Sequence, residues 1–97
     1  MSYFLTPEAE AELAEAVSYY ASHVSVTVAR NFLTRFEEKA RLLTEFPGLG
    51  TPTAKGRRLF PIDRYPYSMI YRAEPGAIRI SAIAHHSRRP RYWQHRS

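Results

Sequence analysis

The chain has 97 residues, of which 44% are hydrophobic and 13% aromatic, with no cysteine and a formal net charge of +5. That length allows one domain around one core, and the apolar content suffices to build it, which excludes a wholly disordered chain. Without cysteine there are no disulfides, thiolate metal sites or thiol nucleophiles, and no apolar run reaches the roughly 18 residues of a membrane span.

The charge is segregated. Residues 1–45 set Arg30, Arg35, Lys39 and Arg41 against seven glutamates, a net −3, while residues 46–97 set ten basic residues against Asp63 and Glu74, a net +8. A positive field confined to one half favours an anionic partner, either nucleic acid or an acidic protein. The start, MSYFLTPEAE, lacks the basic-then-apolar order of a secretion signal, so the expected compartment is the cytoplasm.

Taken in chain order, SYFLT predicts a short strand. Thr6-Pro7-Glu8 then opens a helix: a hydroxyl cap, a proline whose missing N–H is no loss at the first position, and an acid at the positive end of the dipole. Leu13, Ala16, Val17 and Tyr20 keep helical spacing to about His23, with Glu8, Glu12 and Glu15 pointing away from that stripe. Ser25 caps a second helix carrying Ala29, Phe32, Leu33, Phe36, Ala40 and Leu43, although Val24, Val26 and Val28 weaken its first turn. Two prolines and two glycines in FPGLGTP end it.

From Arg57 the period changes to two. Arg57 to Ile62 predicts a strand; in a second, Tyr67, Met69 and Tyr71 alternate with Ser68, Ile70 and Arg72; Glu74-Pro75-Gly76-Ala77 is a turn. In a third, Ile78, Ile80, Ala82 and Ala84 alternate with Arg79, Ser81, Ile83 and His85. The expected class is α+β: an N-terminal strand and a two-helix hairpin packed on a small twisted antiparallel sheet, in a single domain over residues 1–97. Tyr92 and Trp93 are costly to leave in water, so the arginine-rich end is expected to dock on the fold.

LTPEAEAEL, YYA, FLTRFEEKARLL, EFPGLGTP, RYPYSMIYRAE and AHHSRRPRYW together, in this order and over nearly the whole chain, resemble the RelE/ParE superfamily of bacterial type II toxin–antitoxin toxins, closer to the ParE-like, plasmid-stabilisation branch. The resemblance implies two helices on a small antiparallel sheet and an acidic antitoxin that wraps and neutralises the toxin. One branch cleaves messenger RNA at the ribosome without metal, using basic and aromatic side chains on the sheet and near the C-terminus. The other traps DNA gyrase with its DNA cut and is not itself an enzyme.

Ribonuclease chemistry needs a base, an acid and fixed positive charge on phosphate. His85, Arg72, Arg88, Arg89 and Tyr92 are the candidates for those roles. In the ribonuclease branch, however, an arginine usually stands close to the position of Ser68, and a hydroxyl cannot supply its charge. HHSRRPRYW by contrast resembles ParE-like ends. The reading placed first is therefore a gyrase inhibitor that binds its target through Arg88, Arg89, Arg91, Tyr92 and Trp93, with Arg58 and Arg64 as further basic contacts. The alternative is a RelE-like messenger RNA endonuclease.

No metal or cofactor is called for. His85 and His86 lack a third ligand at familiar spacing and, as strand neighbours, point to opposite faces. FPGLGTP lacks the Gly-Lys-Ser/Thr of a phosphate loop. Tyr67, Met69 and Tyr71 read as core, and His23 as a helix-end cap.

Overall fold

The computed structural model describes residues 2–96. The elements run β1 (Ser2–Leu5), α1 (Pro7–His23), α2 (Val26–Glu45), β2 (Thr51–Pro52), a 3₁₀ turn at Ala54–Gly56, β3 (Arg58–Ile62), β4 (Tyr67–Glu74) and β5 (Ala77–His85). Both helices start at the expected caps. Thr6 Oγ1 accepts the Ala9 N–H at 3.2 Å, and Ser25 Oγ accepts the Val28 N–H at 3.1 Å. Each satisfies a donor that the first helical turn leaves without a carbonyl. The Ser25 cap outweighs the β-branched run, for α2 begins at Val26 without delay. It ends at Glu45, because the residue before Pro47 is barred from helical geometry.

The sheet order is β1-β5-β4-β3-β2, with β1 parallel to β5 and every other pair antiparallel. The β2–β5 meander is antiparallel, as the sequence predicts, but the parallel β1 makes the whole sheet mixed. Because β1 feeds a helix instead of a tight turn, it cannot form a hairpin and joins the far edge of the meander beside β5. The helices cover one face, where Phe32, Phe36 and Leu43 of α2 and Ala9 and Ala16 of α1 meet Ile62, Met69, Tyr71, Ile78, Ile80 and Ile83.

Strict alternation along β5 fails at Ser81. Ile70 pairs with Ala82 but Tyr71 pairs with Ile80, so Ser81 is an extra, unpaired residue. A bulge of this kind exchanges the faces of everything beyond it. Ile83 and His85 therefore join Ile78 and Ile80 on the helix side, and Ala82 and Ala84 move to the opposite face, reversing the sequence expectation for all four. Large Ile83 fills the core, while small Ala82 and Ala84 leave room on the other side.

That second face is also covered. Ile70 and Ala82 are fully buried although they point away from the helices. The C-terminal segment after β5 lies over them: Trp93 and Pro90 line one cavity with Leu59, Ser68 and Ala84, which share this face by register. The breaker loop is clamped separately. The Tyr71 hydroxyl donates to the Pro47 carbonyl at 2.7 Å and accepts the Gly50 N–H at 2.9 Å.

Candidate interaction surface

β1 accompanies β5 only from Ala77 to Ile80, so among the described residues no strand lies beside the outer edge of β5 from Ser81 onward. Unmet main-chain groups on an edge are costly when buried. Here side chains meet them. Glu12 Oε1 accepts the Ile83 N–H at 3.0 Å, the Arg96 guanidinium donates to the Ser81 carbonyl at 3.1 Å, and the Tyr92 hydroxyl leans on the Ile83 carbonyl at 3.4 Å.

Glu12 is the centre of this arrangement. Its Oε2 accepts the Tyr92 hydroxyl at 2.6 Å, Arg96 donates to both carboxylate oxygens at 2.8 and 3.2 Å, and Arg88 stands 3.7 Å away. The Tyr92 ring lies between two guanidiniums, with Arg88 4.0 Å and Arg96 5.1 Å from its centroid. Burial, then the hydrogen bond to Glu12, raises the Tyr92 phenol above its ordinary pKa. Burial works against the charge on Arg96, but the hydrogen bond and the charge of Glu12, with Tyr92 and Glu8, together outweigh it and hold that guanidinium above its usual value.

The next residues reach the sheet's second face. Arg57 Nη1 donates to the carbonyls of Trp93 and Gln94 at 3.3 and 3.2 Å. The arginine-rich end is thus docked, held by Glu12 on one side and Arg57 on the other. Arg88, Arg89 and Arg91 remain exposed on it, while Tyr92 and Trp93 are half-buried anchors.

Four of the ribonuclease candidates are neighbours, for His85, Arg88 and Arg89 line one cavity and Arg88 stacks on Tyr92, but Arg72 lies apart from them. His85 faces the helix side, edge-on to Tyr67 at 4.9 Å, and its Nδ1 accepts the Ser87 N–H at 3.0 Å, which puts the proton of the neutral ring on Nε2. Arg72 pairs with Arg79 near the other end of β4 and donates to the Lys55 carbonyl at 3.2 Å. Five residues of strand, on the order of 16 Å, separate it from the His85 partner Tyr67. At the position of the expected arginine, Ser68 Oγ is hydrogen-bonded to His86 Nε2 at 2.9 Å. His85 and His86 do point to opposite faces.

Two of the proposed basic contacts lie apart from the segment. Arg58 donates to the Gly48 and Gly50 carbonyls at 3.3 and 2.8 Å, holding the breaker loop. Arg64 lines a shallow cavity with Asn31, Thr34 and Arg35 of α2. Glu12, the residue that organises the surface, was placed among solvent-facing glutamates by sequence; its position one helical turn before Ala16, at the border of the apolar stripe, was the available sign. Among the described residues no cluster of three or more His, Asp or Glu side chains is arranged to hold a metal, and no helix is long and apolar enough to cross a membrane.

Residues 3–90 match the family described as the ParE toxin of the type II toxin–antitoxin system parDE. The chain belongs to the ParE toxin family. A solved structure described as the chromosomal ParDE TA system from P. aeruginosa is similar to this ParE toxin at 25% identity, with a TM-score of 0.76, covering 88% of this chain and 95% of that one. No curated protein matches. The family match spans β1 to Pro90 and so includes Arg88 and Arg89, but ends before the Tyr92–Arg96 anchor.

Proposed function

We propose that this ParE toxin inhibits DNA gyrase as a binding protein, acts in the cytoplasm and is neutralised by a cognate acidic antitoxin. The observation that carries the reading is the second sheet face at Ser68. The ribonuclease branch is expected to carry a fixed arginine on the sheet there; here Ser68 Oγ is hydrogen-bonded to His86 Nε2, and the guanidiniums that line the same cavity, Arg88 and Arg89, come from the C-terminal segment and not from the strand. The Tyr92 hydroxyl, the other group suited to proton transfer, is spent on Glu12 and its phenol is made a weaker acid.

What the segment offers is an exposed basic ridge, Arg88, Arg89 and Arg91, on a docked aromatic base. Clustered positive charge of this kind gives fast and specific encounter with an acidic protein surface. Purified protein incubated with gyrase and plasmid DNA is expected to accumulate cleaved DNA, while messenger RNA on translating ribosomes stays intact. Intact DNA together with cut messenger RNA would reverse the assignment in favour of the endonuclease.

A further inference from the structure

The side-chain atoms that are buried with no hydrogen-bond partner among the described residues are Thr53 Oγ1, Arg57 Nε and Arg72 Nε. They belong to one corner of the molecule. The Thr53 N–H donates to the Arg57 carbonyl at 2.8 Å, and Arg72 donates to the Lys55 carbonyl between them. Arg57 is only 3% exposed. Burial, and then the neighbouring Arg72 charge, lower its pKa. Among the described residues its guanidinium is met by two main-chain carbonyls and by no carboxylate.

A buried cation facing only partial charges is incompletely compensated. Beside it is a cavity of about 260 Å³ in which Thr53, Arg57 and Arg91 are set among Leu59, Pro90 and Trp93. Among the described residues no acidic side chain lines it. A carboxylate on Arg57 makes charge-assisted bonds roughly twice as strong as those to neutral carbonyls. The apolar walls accept the short aliphatic stem of an acidic side chain, which inorganic phosphate lacks.

We infer that this cavity is the receptor for one Asp or Glu side chain of a protein partner, which exchanges for the Trp93 and Gln94 carbonyls on Arg57, with Thr53 Oγ1 as a second donor. The inference rests on the antitoxin reading above and names a contact within it: the C-terminal segment holds the receptor closed until an acidic side chain takes its place.

Trp93 is the only tryptophan in the chain, so its emission reports on the cavity directly. The purified toxin is titrated with a blocked Leu-Glu-Leu tripeptide, its glutamine counterpart, and inorganic phosphate at matched ionic strength. The glutamate peptide is expected to give a saturable change in Trp93 emission, with the glutamine peptide at least about tenfold weaker. Arg57→Gln is expected to abolish the response. Thr53→Val, which leaves Arg57 in place and serves if Arg57→Gln does not fold, is expected to weaken binding about threefold or more. No response to the glutamate peptide, an equal response to the glutamine peptide or to phosphate, or undiminished binding by the folded variants overturns the assignment. Neither antitoxin nor gyrase enters this titration, so its failure leaves the toxin reading to the DNA-cleavage assay, and failure of that assay leaves this site standing.

Discussion

A glutamate on the flank of an apolar stripe ordinarily faces water, but Glu12 receives a main-chain N–H, a phenol and an arginine fork in a pocket that leaves its side chain 11% exposed. Tyr92 is the partner whose titration can be followed. Its folded pKa stands above the unfolded value near 10. A group shifted upward stabilises the fold fully below its unfolded pKa, and the contribution is lost as pH rises through the folded value. The melting temperature of the wild type is therefore expected to fall more steeply above about pH 10 than that of Tyr92→Phe, which has no proton to lose at this position. At neutral pH the same substitution should cost about 1 kcal/mol, the worth of one hydrogen bond. Parallel alkaline slopes in a thermal-denaturation series would show that Tyr92 ionises as freely in the fold as in the unfolded chain.

At the scale of elements, the loop between α2 and β3 is fixed by one close approach. A Cβ on Gly50 would stand 2.7 Å from the Tyr71 ring and hydroxyl and 2.9 Å from the Leu59 carbonyl, and two of those neighbours cannot retreat, being a core side chain and sheet backbone. Gly50→Ala is expected to lose about 1–3 kcal/mol of stability in urea denaturation, the usual cost of overpacking. Gly48, with nothing within 4 Å of such a Cβ, should tolerate alanine. The same elements show what was legible beforehand. Both helix starts were readable because a hydroxyl cap before a periodic apolar run is a local signal, and β3 and β4 because alternation is local too. The Ser81 bulge was not, since it depends on which partner β5 meets across the sheet; the one hint was a large Ile83 between two alanines. The parallel pairing of β1 and the burial of Glu12 arise between residues some 70 positions apart, beyond the reach of any period. The docking of Tyr92 and Trp93 was foreseeable from their size, but its anchors Glu12 and Arg57 were not.

For the whole molecule, the segregated charge and the docked segment concern the same surface. The half of the chain with net +8 supplies every exposed arginine of the ridge, and the acidic half supplies Glu12, the latch that orders it. Removing charge from the ridge should therefore separate binding from folding. Arg88 is half exposed, with a 3.7 Å approach to Glu12 and a ring contact to Tyr92, and Arg89 is exposed. Exposed ion pairs and cation–π contacts are each worth about 0.5–1 kcal/mol, so the Arg88→Ala/Arg89→Ala double variant should lose on the order of 1–2 kcal/mol and keep its cooperative melt. Growth inhibition on expression should nonetheless disappear, because two adjacent positive charges are lost from the face offered to the target. Association should also slow with added salt in the wild type more than in the variant, since attraction between exposed charges is screened over about 8 Å at physiological ionic strength. A double variant that folds, remains fully toxic and shows the wild-type salt dependence would move the target-binding site off this ridge and off the helix-side cavity that Arg88 lines with His85 and Tyr67.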